Sequence, residues 1–178
     1  MDVLRQPSRP DDLLSIRVRS ANLDHIVAGT ASSGALVSVD GGRTWSRSTI
    51  DGDNIFEVIV SPADSNVVWA QGIDFADENR HIYRSTDGGA TFTTVVDAGN
   101  GVFMVNGSLL APHPTNRDVL YFVFGTCFQG YGTDLYRYDA ARRVLTMTHN
   151  SADDIDVIAF SPAGPNLMYL GLEVVARQ

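Results

Sequence analysis

SVDGGRTW, residues 38–45, and STDGGATF, residues 85–92, are one eight-residue recipe written twice, 47 positions apart. After Ser38 and Ser85, Asp40 and Asp87 can accept hydrogen bonds from turn amides, and Gly42 and Gly89 can take positive φ without a Cβ penalty. Thr44 and Thr91 can tie each turn to the outgoing strand, which gives Trp45 and Phe92 a set direction in which to bury a large ring. Two copies of such a turn in 178 residues point to a repeated supersecondary unit.

The repeat extends on both sides of the turns. VSPADSNVVWA from Val60, APHPTNRDVLYFV from Ala111 and FSPAGPNLMYLGL from Phe160 place Pro62, Pro112 and Pro162 at intervals of 50, with Asn66, Asn116 and Asn166 in register. RSANLDHIVAG from Arg19 fits as an earlier copy at an offset of 41. The second unit reads as four short strands, IFEVIV, VVWAQ, HIYRST and TFTTVV, separated by turn signals. A four-stranded antiparallel meander of 40 to 50 residues is the pattern of a propeller blade. The expected fold is therefore all-β, a β-propeller of about three and a half blades. An N-terminal leader at 1–10 precedes blades at 11–50, 51–98 and 99–150 and a half blade at 151–178.

Ser/Thr-x-Asp-x-Gly-x-Thr-Trp/Phe resembles the Asp-box, or BNR repeat, of sialidases, sortilin-type receptors, xyloglucanase-like glycosidases and a photosystem II assembly factor. The resemblance runs over roughly residues 11–172 and implies that the motif joins the third and fourth strands of a blade. A third copy, LYRYDAARRVL, keeps Tyr136 and Asp139 but lacks the Gly and the Thr-aromatic pair, so that turn must be held differently. Because enzymes and non-enzymes both carry the motif, it speaks for fold and not for chemistry.

Composition narrows the function classes. A formal charge of −8 with no basic cluster argues against a nucleic-acid partner. All thirteen basic residues are arginine, so a Schiff-base or P-loop lysine is excluded within this chain. Cys127 is the sole cysteine, which leaves no intramolecular disulfide and no cysteine-built metal site; an inert thiol is expected there. There is neither an 18-residue apolar run nor a signal-like apolar segment in MDVLRQPSRPDD, so no membrane span is expected. DGDNIFE from Asp51 starts like a calcium loop, yet Pro62 stands where the twelfth-position Glu belongs, and no metal or other cofactor is expected. Asn106 opens an NGS acceptor sequence.

Antiparallel strands sort the loops onto two faces. Opposite the glycine turns lie the longer stretches STIDGDN, GIDFADENR, DAGNGVFMVNGS and GTCFQGYGTD, where binding groups usually gather on a rigid scaffold. Candidate binding residues there are Asp74, Asp77, Glu78, His81 and Asp134, with Phe75, Phe128 and Tyr131 as platforms for a sugar ring or a partner side chain.

The sialidase Phe-Arg-Ile-Pro signature is absent, and xyloglucanase-like enzymes draw aspartates from two propeller domains. The leading expectation is thus a non-enzymatic Asp-box module, a binding or assembly scaffold for protein or carbohydrate. The resemblance alone implies a secreted, periplasmic or cell-surface setting. A glycoside hydrolase-like propeller, incomplete or completed by oligomerisation, is the alternative, and a structural subunit of a larger ring is the third. Three accounts of the half blade stay open: a remainder in a longer chain, a homodimer completing a seven-bladed ring, or an open or differently closed sheet.

Overall fold

A computed structural model describes residues 11–50, 53–76, 78–100, 109–125, 133–150 and 154–173. Short apolar runs, cut by hydroxyl, proline and glycine turns, leave the chain too little continuous helical stripe for anything but strands. The first sheet holds β1 (Leu13–Arg19), β2 (Asn22–Thr30), β3 (Ala35–Ser38) and β4 (Ser46–Arg47). The second holds β5 (Asn54–Val60), β6 (Val68–Asp74), β7 (Asn79–Ser85) and β8 (Thr93–Val96). The third holds β9 (Leu110–Pro112), β10 (Val119–Gly125), β11 (Thr133–Asp139) and β12 (Val144–Asn150). The last is a pair, β13 (Asp154–Ser161) and β14 (Gly164–Glu173). Every sheet is an antiparallel meander in chain order.

Because side chains alternate across a strand, each sheet offers one face to the sheet before it and one to the sheet after. Val27, Val37 and Ile50 of the first blade meet Val58, Val68, Ala70 and Phe92 of the second. Val67, Trp69 and Ile82 of the second meet Leu120, Phe122 and Tyr138 of the third. Val123 and Leu135 of the third meet Ile155, Ile158, Met168 and Leu170 of the half blade. The core is therefore a series of blade-to-blade junctions. At the inner strands the blades approach closely: the Val58 amide donates to Ser15 Oγ at 3.2 Å. A Cβ on Gly29 would lie 2.3 Å from the Ile55 carbonyl oxygen, so nothing larger fits at that crossing.

The recurring asparagines acquire a reason. Asn66 Oδ1 accepts from Arg19 of the preceding blade at 2.7 Å, and Asn166 Oδ1 lies 3.2 Å from His113 Nε2 of the third. Asn116 instead closes its own turn, accepting from the Asp118 amide at 3.0 Å, while Arg117 next to it pairs with Asp64. Ser61 and Ser161 hold the proline turns by accepting from the Ala63 and Ala163 amides at 3.3 Å.

One detail differs from the sequence reading. The outer strand of the second blade begins at Thr93 rather than Thr91, because Thr91 and Phe92 are used by the turn. The third turn, lacking glycine, is held by Asp139, which accepts from the Arg142 amide at 3.1 Å and pairs with Arg137 at 3.2 Å. Arg143 takes the left-handed conformation, φ 55°, that a glycine would have supplied.

Candidate functional site

The two glycine turns superpose bond for bond. In the first, Asp40 accepts from the Thr44 amide at 2.9 Å, the Thr44 hydroxyl at 2.6 Å and Ser38 Oγ at 2.8 Å. In the second, Asp87 accepts from the Thr91 amide at 2.9 Å, the Thr91 hydroxyl at 2.6 Å and Ser85 Oγ at 2.7 Å. The serine hydroxyls accept from the Gly42 and Gly89 amides at 2.8 Å, and all four glycines have positive φ. Phe92, 8% exposed, is locked into the first junction by Thr49, whose hydroxyl accepts from the Phe92 amide at 2.7 Å. Trp45 is half-buried and donates its indole N–H to the Gly42 carbonyl at 3.1 Å. Phe92 thus lies between two blades.

These carboxylates set the acid limb of stability. The Thr44 hydroxyl and amide hold Asp40 down from 3.8 to about 2. At Asp87 burial acts upward but is outweighed by Thr91 and Ser85; at Asp139 it is outweighed by the Arg142 amide and Arg137, so both are lowered. A depressed folded pKa contributes stability that is full above the ordinary carboxylate range and is lost as pH falls through the folded value. Urea unfolding between pH 6 and pH 2 is therefore expected to fall steeply in the wild type and more shallowly in Asp87→Asn. An unchanged slope would deny the turn its electrostatic role.

Residues Thr49, Ile50 and Asp53 and the turn after β6 border an open groove of about 600 Å³. Its lining includes Thr49, Asp53, Asp74, Phe75, Tyr83 and Thr94. Tyr83 Oη donates to Asp53 Oδ2 at 2.9 Å. Burial raises the Asp53 pKa and the Asp74 charge adds to it, against the Tyr83 bond and the His81 ring. Asp74 accepts from the Ala76 amide at 2.7 Å, which shapes the turn, and its other oxygen lies 3.7 Å from Nδ1 of the buried His81. Glu78, at φ 58°, completes that turn. Phe75 is 54% exposed, a flat apolar surface beside two carboxylates.

Of the sequence candidates, Asp74 and Phe75 line the groove, and His81 lies behind Asp74; Glu78 does not line it. Asp134 sits at the start of β11, where Tyr136 Oη donates to it at 3.4 Å, and does not line the groove. Asp77, Phe128, Tyr131, Cys127, Asn106 and the 1–10 leader lie outside the described residues. Asp53 and Tyr83 were missed. The signal for Asp53 was the DGD triplet, read only as a failed calcium loop; for Tyr83 it was the polar tip of an otherwise buried ring.

A second groove of about 510 Å³ runs along the inner strands between β1 and β5, past Arg17, Phe56 and Glu57. Burial raises the Glu57 pKa although Gln71 Nε2 donates to it at 2.6 Å. Arg80 stacks over the Phe56 ring at 4.9 Å. Among the described residues no three His, Cys, Asp or Glu side chains group as metal ligands, and no helix is long and apolar enough to cross a membrane.

No family model matches the chain. It is 54% identical over 129 residues to the dispase autolysis-inducing protein of Streptomyces mobaraensis, a match over 68% of this chain. The match spans about a third, 34%, of that relative's length. Among solved structures it resembles the Niastella koreensis GH74 enzyme, with TM-score 0.62 and 20% identity over 87% of this chain and 24% of that one. It also resembles YCF48 from Cyanidioschyzon merolae, with TM-score 0.59 and 14% identity over 98% of this chain and 60% of that one. A further YCF48 structure, bound to D1 peptide, has TM-score 0.56 and 15% identity over 86% of this chain and 46% of that one. Likeness at such identities is likeness of fold, and with the stacked meanders it makes this chain a β-propeller of about three and a half blades.

Proposed function

We propose that this chain is a non-enzymatic Asp-box propeller module that binds another protein, with blades at 11–50, 51–98 and 99–150 and a half blade at 151–178. The observation that carries the reading is the 54% identity to a protein named for inducing autolysis of dispase, a name that denotes action on a protein. The groove supports it chemically. Asp53, Asp74 and the Tyr83 hydroxyl can take hydrogen bonds, and Phe75 supplies an exposed aromatic anchor. The YCF48 propeller, which binds a peptide, shares the scaffold and not the sequence.

The test mixes the purified chain with dispase, measures binding by surface plasmon resonance and follows intact dispase on gels. Binding is expected, and Phe75→Ala and Asp53→Asn should each weaken it about tenfold or more. Fluorogenic glycosides should remain uncut.

A glycoside hydrolase-like reading has one observation in its favour. Asp53, raised by burial, shares the groove with Asp74, as an acid and a second carboxylate do in glycosidases. Turnover of a glycoside that disappears in Asp53→Asn would establish this second reading in place of the first.

A further inference from the structure

His25 and His113 are both buried, and each stands where one blade meets the next. His25, on β2, lies with Nδ1 3.1 Å from Arg19 Nη1 and with Nε2 2.7 Å from the Gly88 carbonyl oxygen in the second glycine turn. A guanidinium has donors and no acceptor, and a carbonyl only accepts, so these partners leave the ring one form. Nδ1 accepts and Nε2 carries the hydrogen. The same Arg19 side chain reaches on to Ser65 Oγ at 3.2 Å and Asn66 Oδ1 at 2.7 Å, and the Asn66 carbonyl accepts from the Gly88 amide at 2.8 Å. Arg19 and His25 therefore grip two turns of the second blade that are bonded to each other. The fit is close, since a Cβ on Gly88 would stand 2.8 Å from His25 Cε1.

His113 meets the same demand elsewhere in its blade. It follows β9, and its Nδ1 faces the amides of Thr115 at 3.3 Å and Asn116 at 3.1 Å, which can only donate. Nε2 is left to carry the hydrogen toward Asn166 Oδ1 of the half blade, and the ring meets Phe160 edge-on with centroids 5.5 Å apart. One histidine sits on a strand and the other in a proline turn, so the shared form comes from their partners and not from the repeat.

An imidazolium donates from both nitrogens. A second proton on His25 would thus set an N–H and a positive charge against the Arg19 guanidinium, and on His113 it would set an N–H against two amides. The neighbouring carboxylates are committed elsewhere. Near His25, Asp24 of β2 has Oδ1 beside Gly41; on the second blade, Asp64 takes the Asn66 amide and Arg117, and Asp87 takes Thr91 and Ser85. Near His113, Arg117 and Asp118 of its own turn pair with Asp64 and Arg84, and residues 161–166 of the half blade include no charged side chain.

We infer that His25 and His113 are proton-operated latches, fastening the first and third blade junctions while neutral and releasing them on protonation, so that mild acid loosens the blades on the glycine-turn side. The latched form excludes a proton that the released form takes up, and acidification favours the form that binds more protons. The stabilisation is full above the histidine range and is lost as pH falls through it.

The experiment reads the tautomer first and the latch second. Nitrogen-15 NMR of the histidine-labelled wild type at about pH 7.5 should show Nε2–H at both rings. This readout needs no variant beyond assignment, so it decides even where a substitution prevents folding. Urea unfolding is then compared at about pH 7.5 and about pH 5.5 for the wild type, His25→Gln, His113→Gln and the double variant. Glutamine keeps a donor and an acceptor and does not titrate. On acidification the folding equilibrium of the wild type should fall about a hundredfold further than that of the double variant, about tenfold for each latch, with the single variants between them. His81, His149, Asp53 and Glu57 are present in all four proteins and cancel from the difference. An Nδ1–H form at either ring, or equal acid losses in the wild type and the double variant, would overturn the inference.

Discussion

Trp69→Ala is expected to cost about 3–5 kcal/mol of unfolding free energy, the range for deleting a fully buried large aromatic. Trp69 is 0% exposed near the start of β6 and fills the junction between the second and third blades with Ile82, Leu120 and Phe122. Tyr138 meets its edge with ring centroids 6.4 Å apart, and the Arg84 guanidinium lies 5.2 Å over its face. Truncation therefore opens a cavity and also loosens Arg84, which pairs with Asp118 across the same junction. Trp69→Phe should cost far less, because the indole N–H has no hydrogen-bond partner among the described residues and its removal relieves an unmet donor. Urea denaturation of the three proteins decides the matter, and an alanine loss below about 1 kcal/mol would mean that the sheets do not meet through this ring.

Gly89→Val should be nearly as damaging, at about 3 kcal/mol or more, since a β-branched residue at positive φ is added to an already filled junction. Gly89 has φ +97°, and a Cβ there would stand 3.0 Å and 3.2 Å from the two methyls of Val27 in the neighbouring blade. Gly41 separates the two causes. It has φ +73°, but its Cβ would meet only the Asp24 carboxylate oxygen at 3.2 Å and the far end of Arg43. Gly41→Asn, a residue that tolerates the left-handed region, should cost about 1 kcal/mol or less. Thermal unfolding of both variants would contradict the account if their midpoints fell equally.

Both results depend on the same construction, a turn that orients a ring and a blade that receives it. The groove depends on it too. Thr49 holds the Phe92 backbone, and Asp53 accepts from Tyr83, so both groove residues are tied to the second blade. Loss of the first junction is therefore expected to reach the binding surface.

What could be read from the letters was local. Short apolar runs such as Ile55–Val60, the proline turns and the SVDGGRTW recipe are each settled within about ten positions by backbone sterics and short-range hydrogen bonds. That range covers the strands, their meander order and the two stapled turns, and the repeat then implies stacking. The groove draws on residues 49, 53, 74, 75 and 83 from two blades, so its Asp53–Tyr83 bond exists only after the sheets have packed. The same limit separates Trp45 from Phe92. Their motifs match, but burial is set by what packs around them, which eight residues do not contain.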